Sequence, residues 1–139
     1  MATGTPGTTA RQLPYQVSHF LRFTVNFNDA GIAAGVGKQA LPKGAIITGT
    51  DIYVSAAFNA ATTNVLTVGT NAASYNNIVA AADADETTIA LTKGIKPTGT
   101  ALGPLAADSQ VFAMFTQTGA AATAGSAVVI ISYVPNTDL

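Results

Sequence analysis

The chain has 139 residues, with no Cys, no Trp and one His, a length that fits one domain of the usual ~100–150 residues. Only 9% of its residues are charged and the formal net charge is −1, whereas an ordinary soluble domain has about 25% charged residues. Six Lys and Arg among seven acids make no basic stripe for a nucleic acid, one His without Cys cannot build the usual zinc site, and a disulfide framework is excluded.

Residues 1–16 read as an extended arm of Thr, Gly and Pro, because Pro6 and Pro14 forbid helix around them. The arm has little to bury before Leu13 and Tyr15. Residues 1–10 hold no apolar run of the kind a signal peptide needs, so no signal peptide is expected. Residues 17–139 read as a single domain.

Residues 17–27 give the clearest strand. Val17, His19, Leu21, Phe23, Val25 and Phe27 alternate with Ser18, Phe20, Arg22, Thr24 and Asn26, and period-2 alternation marks a half-buried strand with the odd side inward. Residues 28–44 read as a Gly/Ala loop. Residues 45–58 form a second β segment, with Ile46, Ile52, Val54, Ala56 and Phe58 on one side, Asp51, Tyr53 and Ser55 on the other, and a bulge or bend at Gly49. A short strand over 64–69 follows, then a polar loop over 70–77, a short strand or helical turn over 78–82, an acidic turn over 83–86 and a β stretch over 87–91. Residues 93–108 carry three Gly and two Pro and read as loop. The last strands are 110–117 and 126–134.

Short strands at regular turn spacing, with no helix-period segment, define an all-β chain. The expected architecture is an antiparallel β-sandwich, jelly-roll-like. The last two strands are apolar on both sides. Phe112 and Met114 oppose Val111 and Phe115, while Val128, Ile130 and Val134 oppose Val129 and Ile131. A sandwich strand usually shows water one polar side, so the chain's own loops, the arm or another protein must cover the second. The longest strongly apolar stretch, 127–134, falls short of the ~20 residues that cross a bilayer, and no membrane partner is expected.

Candidate chemistry is sparse. His19 lies on the apolar side of its strand and reads as structural. Ser18 points to the opposite face and cannot reach its ring. The segment 31–39 has five residues between Gly31 and Gly37-Lys38 and then Gln39, whereas a phosphate loop has four and then Ser or Thr. Asp83, Asp85 and Glu86 are too compact for an EF-hand loop and read as a solvated turn. Tyr15, Tyr53, Tyr75 and Tyr133 are too scattered for a sugar-stacking patch. No enzyme activity, cofactor or metal is expected.

Leu41-Pro42-Lys43-Gly44-Ala45-Ile46-Ile47, Asp51-Ile52-Tyr53-Val54 and the run from Phe58-Asn59-Ala60-Ala61-Thr62-Thr63 to Gly69-Thr70 resemble small virion proteins of tailed bacteriophages. Phe115-Thr116-Gln117-Thr118-Gly119 and Tyr133-Val134-Pro135-Asn136 extend the resemblance to roughly residues 41–136. Within that group the chain is most similar to capsid cement (decoration) proteins. The resemblance implies a structural protein on the outer surface of an icosahedral head, with the major capsid protein and further copies of itself as partners. A homodimer is expected first and a trimer second. The alternative is a head- or tail-fibre module that binds a host glycan or receptor. The expected capsid or self contacts are Arg11, Leu13, Pro14 and Tyr15 on the arm, Arg22 on the first strand, and Phe112, Met114 and Ile130 on the last two.

Overall fold

A computed structural model describes residues 18–136. They form seven strands: β1 (His19–Asn26), β2 (Val36–Leu41), β3 (Ile46–Ala56), β4 (Thr63–Gly69), β5 (Leu91–Ile95), β6 (Ser109–Thr118) and β7 (Ser126–Val134). Odd-numbered strands make one sheet, ordered β1-β7-β3-β5, and even-numbered strands the other, ordered β2-β6-β4. Every ladder is antiparallel. Each connection therefore crosses from sheet to sheet, and no two consecutive strands pair. The architecture is the expected all-β sandwich. A jelly roll has eight strands, and the described residues hold seven; Val79 adds a single bridge to Val68 on the free side of β4.

The core is the interleaved inner faces of the two sheets. Leu21, Phe23 and Val25 enter it from β1, Ile52 and Val54 from β3, and Ala127, Val129 and Ile131 from β7. Leu66 and Val68 of β4 and Val111, Ala113 and Phe115 of β6 meet them. Phe58, just past β3, packs on Phe115 with ring centroids 4.7 Å apart, a tilted aromatic pair of the favoured kind. Alternation thus places Leu21, Phe23 and Val25 of the odd side inward, as expected from sequence; Val17 lies outside the described residues.

Gly49 marks the expected bulge. The β3–β7 register shifts between Ile47 and Gly49, and one extra residue exchanges the two faces of a strand. Ile47 is buried before the shift, and Thr50, Ile52 and Val54 after it. Ile46 therefore does not share a face with Ile52. It pairs with Val134 and points outward, 42% exposed.

Two strands lie where the sequence reads as loop. β2 falls inside 28–44, and β5 overlaps 93–108 while beginning at the end of 87–91. Both are edge strands, and both carry a register shift, between Gly37 and Ala40 in β2 and opposite Thr50–Ile52 in β5. Bulges erase the alternation that announces a strand. The possible strand at 78–82 reduces to the Val79 bridge.

Candidate interaction surface

Several of the titratable side chains are engaged within the fold. His19 stacks on Tyr133 at the open end of β1, with centroids 5.8 Å apart. Among the described residues no three His, Cys, Asp or Glu gather as metal ligands would. Lys38 bonds the Asp29 carboxylate at 3.1 Å and the Thr24 carbonyl at 2.9 Å, and Gln39 donates to the Arg22 carbonyl at 3.0 Å. Side chains of β2 thus cap the outward carbonyls of edge strand β1 and close that side of the sandwich, a common protection of sheet edges. Burial pulls the Asp29 carboxyl up, but the Asn26 N–H and Lys38 outweigh it and hold the group below its ordinary range.

The acidic turn is not simply solvated. Asp83 accepts the Ala80 N–H, and Asp85 accepts the Thr87 N–H and the hydroxyls of Thr87 and Thr88. Those Thr donors hold the Asp85 carboxyl below its ordinary range. Glu86, however, is only 4% exposed. Its Oε1 accepts the Leu66 N–H at 2.7 Å, so a carboxylate caps the edge of β4 two residues before the Val79 bridge. Burial, with the neighbouring Asp85 charge, pushes the Glu86 carboxyl above its ordinary range, against the pull of the Leu66 N–H.

The two outer sheet faces differ. On β2-β6-β4, Phe112 lies between Gly37 and Gly69 in register, and the ring of Tyr75 stacks on it, centroids 4.6 Å apart. The loop that brings Tyr75 there is tightly tied. Asn71 accepts the N–H groups of Asn76 and Asn77, while the Asn77 side chain bonds Thr70 and Thr100. Ala73 and Tyr75 adopt left-handed backbone, φ 72° and 44°, a conformation that non-glycine residues take only when surroundings enforce it. A Cβ at Gly35 would fall 2.5 Å from the Tyr75 ring, so glycine there admits the cover.

Among the described residues, the outer face of β1-β7-β3-β5 has no such cover. Phe20, Ile46, Tyr53, Leu91 and Val134 stand exposed on it, Phe20 at 66%. Val128 and Ile130 lie half-buried between them on central strand β7. Large exposed apolar patches on other proteins commonly mark interaction sites.

Arg11, Leu13, Pro14 and Tyr15 lie outside the described residues. Of the other expected contacts, Arg22 and Ile130 are register partners on the uncovered face. Phe112 and Met114 lie half-buried on the opposite face, Phe112 under Tyr75. Sequence reading missed Phe20, Tyr53 and Leu91. The available signal was an aromatic on the side expected to be wet, with Phe20 between Ser18 and Arg22 and Tyr53 between Asp51 and Ser55.

No protein-family model matches the sequence, and no curated protein matches it. The sandwich itself is shared with chains of phage capsids. One, from the acid-stable capsid of Helicobacter pylori bacteriophage KHP30, is similar with a TM-score of 0.58 and 20% identity, over 84% of this chain and 86% of that one. Another, from the capsid asymmetric unit of cyanophage Pam1, has a TM-score of 0.56 and 20% identity, over 97% of this chain and 99% of its own.

Proposed function

We propose that this chain is a structural virion protein that binds the outer surface of an icosahedral phage head and cements neighbouring major capsid proteins. The observation that carries this reading is the end-to-end match: a chain of the Pam1 capsid has the same sandwich over almost its whole length. The uncovered apolar face is consistent with it, since a structural protein works through surfaces of this kind. The protein is made in the bacterial host cytoplasm and acts as a homodimer.

Cementing follows from mass action. A protein that binds the assembled lattice and not its free subunits stabilises the lattice. A specific contact buries roughly 800 Å² on each partner, and a dimer anchored at both ends gains avidity. In this reading residues 1–16 form a strap that lies along a capsid subunit, with Leu13, Pro14 and Tyr15 as apolar anchors and Arg11 as the polar one. The test is to purify the particle and weigh its proteins on a gel. Cementing requires a copy number close to that of the major capsid protein, and deletion of residues 2–16 should leave the sandwich folded but weaken attachment. A few copies per particle would sink cementing in favour of a fibre module, and undiminished attachment after the deletion would remove the strap.

A further inference from the structure

We infer that the outer face of the β1-β7-β3-β5 sheet seats the same face of a second copy, related by a two-fold axis that runs in the interface along β7. The inference deepens the proposed function, from which it takes the expectation of a homodimer, but it stands on the register of the sheet.

Four rows cross this face from β1 through β7 to β3, the last joining Asn26, Ser126 and Ala56. Phe20, Ser132 and Gly49 share one row; Arg22, Ile130 and Asp51 the next; Thr24, Val128 and Tyr53 the third. The β1 and β3 members flank β7 at about 4.8 Å on either side. A two-fold along β7 keeps each row in place and exchanges its ends, so β1 of one copy faces β3 of the other. Arg22 then meets Asp51 of the second copy, Phe20 meets Gly49, and Thr24 meets Tyr53. Ile130 and Val128 meet their own counterparts at the centre. Each row pairs opposite charges or a large side chain with a small one, as an isologous interface requires. A two-fold running across the strands would instead set Arg22 on Arg22. Strands on the two copies stay nearly aligned, the usual relation of sheets stacked about 10 Å apart.

Two observations within the chain fit this pairing. Arg22 is exposed and forms no ion pair among the described residues, where Lys38–Asp29 is the only one. Among the described residues, Asp51 has only Oδ1 engaged, by the Gly94 N–H. In addition, the fold places no steric demand for glycine at position 49. Its φ is not left-handed, and an added Cβ would come no closer than 3.9 Å to any atom, the Ile95 carbonyl oxygen. Gly49 ends the β3 bulge, and its missing side chain also leaves room on this face that Phe20 of a second copy fills. Lys93, a further exposed charge, lies on β5, which overhangs β1 of the copy and leaves its ammonium at the rim.

The test uses the full chain in sedimentation equilibrium. Wild type should be a dimer at about 10 μM, and Arg22→Glu, Asp51→Arg or Phe20→Ala should each weaken dimerisation at least about tenfold. Mixing the Arg22→Glu and Asp51→Arg proteins should restore a dimer, because both cross-copy contacts of the mixed pair then join a carboxylate to a guanidinium. Should Asp51→Arg fail to fold for loss of the Gly94 bond, Arg22→Glu and Phe20→Ala carry the test, since both replace exposed side chains. A wild-type monomer or trimer, or a dimer indifferent to both, overturns the inference. Capsid attachment is read separately. Unpaired variants that still bind particles as wild type does would discard this dimer and leave the cement reading, whereas a dimer of the stated geometry that binds no capsid would do the reverse.

Discussion

Among the described residues, one sheet of the sandwich has its outer face covered by its own chain, and the other does not. On β2-β6-β4, the 70–77 loop accepts two left-handed residues and spends its Asn side chains on itself so that Tyr75 can shield Phe112. Along the same sheet's edge, Val79 and the Glu86 carboxylate occupy outward groups of β4. On β1-β7-β3-β5, Phe20, Tyr53 and Leu91 remain in solvent. The chain closes one face at a cost in backbone strain while leaving the other open, so the open face is not a failure of packing. In the proposed dimer it is the apolar surface that the second copy covers.

The largest test of this contrast substitutes the apolar centre of each face. Phe112→Asp should cost about 3 kcal/mol or more, because an unpaired charge would lie beneath the Tyr75 ring. Ile130→Asp removes a side chain that only the partner would bury fully, and it should cost the isolated chain less while abolishing self-association. Urea unfolding of both variants at low concentration measures the difference, and equal losses would erase the distinction between the faces.

Glu86 sharpens the contrast next. Glu86→Ala leaves the buried Leu66 N–H without an acceptor and should cost about 1–3 kcal/mol. Glu86→Gln has a different signature. The folded-state pKa of Glu86 lies above its ordinary 4.5, so its contribution to stability is complete below that value and is lost as pH rises through the folded pKa. Asp29 and Asp85 act in the opposite sense, since their folded pKa values lie below 3.8 and their contributions are lost on acidification. Glutamine stays neutral throughout. The stability of Glu86→Gln relative to wild type should therefore rise as the pH climbs past the ordinary 4.5 and through the raised folded pKa, read as a growing difference in urea midpoint. A difference that does not change with pH would mean that Glu86 does not titrate differently on folding.

A smaller effect compares two tyrosines. Tyr75→Ala should cost about 1–2 kcal/mol, through the lost stack on Phe112 and its buried area. Tyr53→Ala on the open face should stay within about 0.5 kcal/mol for the isolated chain. Thermal melts at low concentration separate them. A larger loss at Tyr53 would show that the open face already holds the chain together.

What the sequence disclosed follows the same physics. β1 and β7 were legible because alternation or an unbroken apolar run survives over their full length. Edge strands β2 and β5 were not, because bulges interrupt their period and few of their side chains are buried. The strands apolar on both sides, β6 and β7, are the central strands of their sheets, so their second faces are flanked by neighbouring strands as well as by any cover. Sequence brought Arg22 and Ile130 to one surface but grouped Phe112 and Met114 with them, because nothing in local pattern tells which sheet a strand joins. The burial of Glu86 was illegible for a similar reason: its acceptor role depends on a β4 edge that only the assembled sheet creates.

The smallest effect concerns two hydroxyls. Thr50 faces the core from β3, and Thr67 lies on the outer side of β4 at 5% exposure; both Oγ1 atoms are buried without a hydrogen-bond partner. A buried hydroxyl that makes no bond carries its desolvation cost uncompensated, so replacing it with a methyl group of similar shape is neutral or stabilising. Thr50→Val should raise stability by about 1 kcal/mol, and so should Thr67→Val. Thr67 is the more informative of the two. It neighbours Met114 in register on the covered face, and its burial there is part of what distinguishes that face from the open one. If Thr67→Val destabilises the chain while Thr50→Val stabilises it, a bridging water satisfies the Thr67 hydroxyl and the cover over β2-β6-β4 is wetter than the core. If both gain, that face is dry as well as covered, and the contrast with the open face is complete.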